Sequence, residues 1–235
     1  MKTSEFIYRN GDVINVIQYK KSQNSKIGAG HVVQTYHFAI DQIVNNNIKL
    51  DNATCLDCPL KFNADGISGG CYTHKGLQLL GLKSMLKRLN ALDLSKIPSL
   101  DALTYLDFVS WKRTIPMVNL VRFGAYGEPI HLGEFIAMSL KNKGRKSTGY
   151  THTWRNKKYD WSYKLFMAST HTNEETADAN KRGFRAFEVT DVHVKDSVNC
   201  PASKESKKKT TCILCGLCNG NEGQNSRKNV YILKH

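Results

Sequence analysis

The seven cysteines of the chain fall into two sets, Cys55, Cys58 and Cys71 upstream and Cys200, Cys212, Cys215 and Cys218 downstream. Thiols repeated at two-residue intervals converge on one point, either as metal ligands or as a disulfide knot. A chain of 235 residues can bury a core without staples. Bridges among Cys212, Cys215 and Cys218 would close loops too short to constrain much, so the spacing favours metal. Downstream, C-x2-C-x2-C with a distant Cys200 followed by Pro201 suits iron–sulfur ligation. The same four thiolates also make a closed tetrahedral zinc site, and we set iron–sulfur ahead of zinc. Upstream, with His74 included, the pattern C-x2-C-x12-C-x2-H has complete zinc spacing. Without His74, three thiolates leave an open position for an external ligand. Whether the two sets form one site or two is left open by sequence distance.

The elements that must position these thiols read as α/β. Asn10-Gly11 between two apolar runs signals a hairpin, and His31 to Ile40 alternates as a strand, with His37 packed in the sheet. A helix over Leu77 to Leu92 carries Leu79, Leu82, Leu86 and Leu89 on one side and lysines on the other. A second helical stretch, Leu100 to Trp111, lies between Pro98 and Pro116. From 117 to 189 the elements read as a strand over Met117 to Phe123, a helix after Pro129, strands over Thr148 to His152 and Leu165 to Ser169, a helix opened by Thr172 and stopped by Gly183, and a strand over Phe184 to Val189. That order predicts a mostly parallel sheet, open or a partial barrel, with right-handed crossovers. The expected organisation is an amino-terminal arm or hairpin over 1–30, an α/β core with the first cysteine set over 31–190, and a cysteine-rich metal-binding extension over 191–235.

Ligands of such sheets bind at the carboxyl ends of the strands, which makes Arg122, Tyr126, Glu128 and His152 the pocket candidates. Three of them have a bland alternative: Arg122 and Glu128 as a structural ion pair, His152 as a backbone-bonded buried polar residue. The net charge of +14 favours polyanions, nucleic acid first. Eight Lys or Arg against one Asp lie between Lys141 and Lys164, interleaved with aromatic residues. Lys141, Lys143, Arg145, Lys146, Arg155, Lys157 and Lys158 can neutralise phosphates while Trp154 stacks on bases. Lys207, Lys208 and Lys209 add a second basic loop. No apolar run is long enough to span a bilayer, and Met1 to Arg9 lacks the apolar core of a secretory signal. The reading is a cytoplasmic protein with no membrane partner, its thiols kept reduced.

The runs Val121 to Pro129, Gly149 to Arg155 and Phe166 to Ser169, followed by Cys200-Pro201-Ala202-Ser203-x8-Cys212-x2-Cys215-Gly216-x-Cys218, resemble a family of bacteriophage and prophage proteins with no assigned activity. That resemblance implies origin in a phage or related mobile element and a host cytoplasm as workplace. A more distant resemblance is to radical-SAM-like partial barrels, which carry a cysteine loop after the first strand. Their C-x3-C-x2-C differs from the C-x2-C-x12-C of Cys55, Cys58 and Cys71.

The leading reading is a phage-type metal-binding protein, iron–sulfur or zinc, that handles nucleic acid. The alternative is an iron–sulfur enzyme of radical-SAM-like ancestry acting on a nucleotide or small molecule held by Arg122, Glu128 and His152. A third reading makes both metal sites a scaffold for binding a host protein.

Overall fold

The computed structural model describes residues 4–221 and 228–234. Residues 222–227 of the expected cysteine-rich extension lie outside the described residues. Two five-stranded sheets carry the fold. The first contains β1 (Glu5–Asn10), β2 (Val13–Ser22), β3 (Gly30–Ala39), β4 (Leu120–Tyr126) and β5 (Ser147–Thr148), in that order. The second contains β6 (Tyr150–Thr151), β7 (Met167–Thr170), β8 (Ala186–Thr190), β9 (Val198–Asn199) and β10 (Val230–Leu233), in the order β6-β7-β8-β10-β9. Only the β1–β2 and β2–β3 pairings are antiparallel. The other pairs, β3 through β5 and all of the second sheet, are parallel.

The sheets meet at Gly149, the single residue between β5 and β6. Its carbonyl accepts the Met167 N–H and its own N–H is donated to the Cys218 carbonyl. A Cβ here would lie 2.8 Å from Phe166 Cδ1 and 2.9 Å from Phe123 Cβ, so the crossing of the two sheets has room only for glycine.

Alternation along the strands divides the core between two faces. On one face Phe6, Tyr8, Ile17, Val33, Val121 and Phe123 pack under α4 (Ala102–Thr114) and α5 (Glu134–Lys141). That face continues to Trp154, Ala168 and Phe184 against α6 (Asn173–Lys181). On the other, Ile14, Val16, Tyr36 and Phe38 meet Leu82, Leu86 and Leu89 of α3 (Gly76–Asn90) and Ile43 of the short α1 (Ile40–Val44). Burying each of those leucines contributes about 2 kcal/mol. The lower half of this second face is covered by the downstream cysteine segment. Cys212 and Ile213 pack on Ile27, Val32 and Leu120, while Leu217, Cys218 and Cys200 pack beside Met167 and Val230.

The hairpin of β1 and β2, within the arm or hairpin expected over 1–30, is built into the first sheet, with Phe6 and Tyr8 in its core. Likewise β10, from the expected extension, lies between β8 and β9 inside the second sheet. Among the described residues no helix is long and apolar enough to cross a membrane.

Candidate metal centres and the charged edges of the sheet

The upstream thiols sit where the chain leaves β3 at the carboxyl edge of the parallel strands. After α1 the chain enters α2 (Asn52–Cys55), whose last residue is Cys55, and a turn closes with the Cys58 N–H donated to the Cys55 carbonyl at 2.9 Å. The Cys71 N–H returns to the Leu60 carbonyl, which folds the loop back on itself, and the Cys71 sulfur lies 3.0 Å from Thr73 Oγ1. Cys55 and Cys58 are buried and Cys71 is half-buried. Burial raises the Cys55 pKa well above its usual value, and the neighbouring Asp51, Cys58, Glu128 and Cys71 push it further. Burial also raises Cys71. Acidic groups thus converge here, each disfavouring the charge of the next.

Two strand ends supply the remaining polar groups. Glu128, after β4, is buried and fully engaged. Its Oε2 accepts from Thr151 Oγ1 at 2.7 Å, and its Oε1 accepts the His152 N–H at 2.9 Å and faces His152 Nδ1 at 3.2 Å. The other ring nitrogen, Nε2, faces Cys58 Sγ at 3.8 Å. Burial alone would lower the His152 pKa. The contacts with Cys58 and Glu128 outweigh it and raise it to about 10. The His171 ring stacks on His152 at 5.7 Å, and both border a cleft of about 110 Å³ with Asp57, Arg155, Ser169 and Glu175.

His74 does not join this group. Its ring stacks on Phe62 at 4.2 Å, Nδ1 lies 3.3 Å from Ser68 Oγ, and Nε2 lies 3.6 Å from Asp51 Oδ2. Burial lowers His74 and raises Asp51 to about 6, so each is pushed toward its neutral form.

The downstream thiols gather on the lower half of the second face. Cys200 follows β9, and its carbonyl accepts the Ser203 N–H at 2.9 Å. Cys212 and Cys215 begin and end α7 (Cys212–Cys215), capped by the Thr211 hydroxyl, which accepts the Leu214 N–H. Gly216 ends that turn in the left-handed region at φ +66°, which sends Cys218 back toward the others. Burial raises Cys200, Cys212 and Cys218, the last to about 12, and the leading influences on each thiol include members of its own set and none of the upstream set. The two sets lie at different places on the fold, the upstream one after β3 and the downstream one packed on Ile27, Val32, Leu120, Met167 and Val230.

Between the sites, on the same face, stands Arg122. Its guanidinium donates to the Tyr72 hydroxyl at 3.1 Å and lies near Tyr36 and Tyr150. Glu128 is engaged elsewhere, so Arg122 and Glu128 are not the ion pair considered from sequence. Tyr126 is structural: its buried hydroxyl accepts from Gln42 Nε2 at 2.9 Å.

The basic stretch does not form one surface. Strand residues 147–151 carry the chain from one edge of the sheet to the other, about 17 Å at strand rise. Lys141, Lys143, Arg145 and Lys146 therefore lie at the amino edge, and Arg155, Lys157 and Lys158 at the carboxyl edge. Trp154 is 1% exposed and its Nε1–H is donated to the Ser169 carbonyl, so its ring is core and offers no stacking face. Arg155 stacks on Trp154 at 4.0 Å and pairs with Glu175 at 2.7 Å. At the amino edge, Lys146 donates to the Leu214 carbonyl and braces the downstream loop. The Cys212 N–H is donated to the Lys26 carbonyl at 2.9 Å, and Lys207, Lys208 and Lys209 are exposed in the same segment.

Sequence reasoning passed over Asp51, Tyr72 and Arg185. Tyr72 stands next to Cys71, the only signal it offered. Among the described residues no three His, Cys, Asp or Glu side chains are drawn close enough, as they stand, to hold a metal ion. Comparison with protein-family models, with curated proteins and with solved structures returns no match.

Proposed function

We propose that the chain is a metal–thiolate protein that binds the phosphate backbone of nucleic acid through the amino edge of its sheet. The observation that carries this reading is that Lys21, Lys26, Lys143 and Arg145 lie at the amino edge, where the Cys212 N–H meets the Lys26 carbonyl, and that Lys207 to Lys209 are exposed in the same downstream segment. Within residues 200–218 the single carboxylate is Glu205. With Trp154 buried, stacking drops out of the mechanism and phosphate neutralisation remains, a mode that positions a strand without reading its bases.

The downstream donors fit a metal. All four donors are thiols, and Cys200, Cys212 and Cys218 pack on the same face of the sheets. Cys200, Cys212, Cys215 and Cys218 would hold zinc or an iron–sulfur cluster. The group would supply cross-linking there, and the protein's own part is to fix the basic loop between Cys200 and Cys212. Origin in a phage or mobile element, with a host cytoplasm as workplace, belongs to the same reading.

The test is anisotropy of a labelled single-stranded DNA oligonucleotide across a salt series. Reversing Lys207, Lys208 and Lys209 to Glu should weaken binding at least ~10-fold and flatten the salt slope by about 2, at ~0.7 per lost phosphate contact. Reversing Lys157 and Lys158, at the opposite edge, should leave both nearly unchanged. Affinity that ignores salt, or equal loss from both edges, would reject the reading.

A second reading, an iron–sulfur enzyme of radical-SAM-like ancestry, draws support from the thiol loop that follows the first parallel strand and from the cleft over His152 and His171. Protein purified without oxygen separates the two. Several irons per chain with broad absorption near ~400 nm would favour the enzyme, and zinc without iron would favour the scaffold.

A further inference from the structure

We infer that the fourth ligand of the upstream centre is His152 and not His74, so that Cys55, Cys58, Cys71 and His152 form a closed set of three thiolates and one imidazole. The inference rests on the metal reading above and deepens it. Two ligands of one tetrahedral centre, with metal–sulfur near 2.3 Å and metal–nitrogen near 2.0 to 2.1 Å, stand about 3.6 Å apart. His152 Nε2 and Cys58 Sγ stand 3.8 Å apart.

The rest of the imidazole is held as a ligating histidine requires. A metal-bound imidazole almost always gives its second nitrogen to a carboxylate or carbonyl, which fixes the ring and its tautomer. Glu128 does this for Nδ1 at 3.2 Å, grips the same residue's backbone N–H at 2.9 Å, and is itself fixed by Thr151. Nε2 is thereby aimed at Cys58. The residues that achieve this come from three places distant in sequence: the loop after β3, the end of β4 and the end of β6.

His74, although its two-residue spacing from Cys71 advertises it, turns Nε2 toward Asp51 Oδ2 at 3.6 Å and Nδ1 toward Ser68 Oγ at 3.3 Å, and neither nitrogen faces a thiol. The turn Tyr72–His74 carries its ring away to stack on Phe62. There it borders a different cleft, of about 530 Å³, with Lys49, Lys83 and Lys87. A set closed by His152 has no vacant position, so the upstream metal is a joint that ties the loop after β3 to the end of β6, not a catalytic ion.

Cobalt(II) titration of the full chain tests this, because thiolate-to-cobalt absorption counts sulfur ligands without any activity assay. Wild-type protein should take up two equivalents. His152→Ala should lose the upstream equivalent, and His152→Cys should restore it with a stronger thiolate band. His74→Ala should keep both equivalents and the wild-type spectrum. Should His152→Ala fail to fold, the His152→Cys and His74→Ala spectra still decide. Loss of an equivalent in His74→Ala, or an unchanged spectrum in His152→Cys, would overturn the assignment while leaving the metal reading intact. Wild-type protein that takes up no cobalt would remove both.

Discussion

His37 shows what a buried polar residue does in this sheet. It is fully buried in β3, with Nδ1 facing Asn15 Oδ1 at 2.7 Å and Nε2 facing Thr35 Oγ1 at 3.1 Å. Burial, then the nearby His131, lower its pKa well below 6.5. Burial lowers His131 as well. A histidine whose folded pKa is depressed takes up its proton more readily in the unfolded chain. Its contribution is complete above pH 6.5 and is lost as pH falls toward the folded value, at about 1.4 kcal/mol per pH unit. Urea unfolding at pH 7, 6 and 5 should show this acid loss. Asp51, raised to about 6, opposes it, so the test is a difference between proteins. Compared with the parent, His37→Gln should be less stable at pH 7 and lose stability less steeply on acidification. An unchanged slope would mean that His37 is not held neutral. Burial in the sheet was legible from the alternation of β3. Its partners were not, because Asn15 belongs to another strand and only the register brings it opposite His37.

Elements were readable where their signals are local. The Asn10-Gly11 turn, the leucine stripe of α3 and the Thr172 cap of α6 all form as their residue types dictate. Errors arose where tertiary contacts reassign a residue. Gly124 reads as the end of a strand, yet β4 runs through it to Tyr126. Its φ of +61° makes a bulge opposite Thr35, whose hydroxyl accepts the Gly124 N–H at 2.9 Å. The expected strand start at Met117 shifts to Leu120 because Asn119 instead caps the neighbouring strand, its Oδ1 accepting the His31 N–H. Gly149 sits inside what reads as one strand but divides it between two sheets. Substitution by Ala should cost about 1–3 kcal/mol, since a methyl at 2.8 Å from Phe166 forces an aromatic pair apart. Thermal unfolding measures this. A melting temperature within a degree of the parent would show that the crossing tolerates a side chain.

At the scale of the molecule, the downstream segment is what closes the second face, and it is held by more than its thiols. Arg185, 4% exposed beside β8, donates to the Leu217 carbonyl at 2.9 Å, the Asn219 carbonyl at 2.8 Å and the Lys228 carbonyl at 2.6 Å. No sequence pattern announces such a residue, because its acceptors are main-chain groups of a segment more than thirty positions away. Arg185→Met leaves those carbonyls without donors and should destabilise the protein by about 3 kcal/mol, read as a lower urea midpoint. A midpoint like the parent's would count against that role. On the metal reading proposed above, metal removal should act on the same segment by a different route. The thiol set anchors one end of the contacts from Cys212 and Ile213 to the Lys26 and Ile27 carbonyls and from Gly149 to the Cys218 carbonyl. Structural metal sites contribute folding energy directly, so a chelator should free these amides while β1 to β3 keep their ladder. Hydrogen exchange by mass spectrometry should then show faster exchange in peptides covering 205–218 and 147–151, with β2 protected. Exchange that stays slow in 205–218 after complete metal loss would mean that packing of Ile213 and Leu217, together with Arg185, holds the face shut by itself. The thiol set would then need another explanation than a staple.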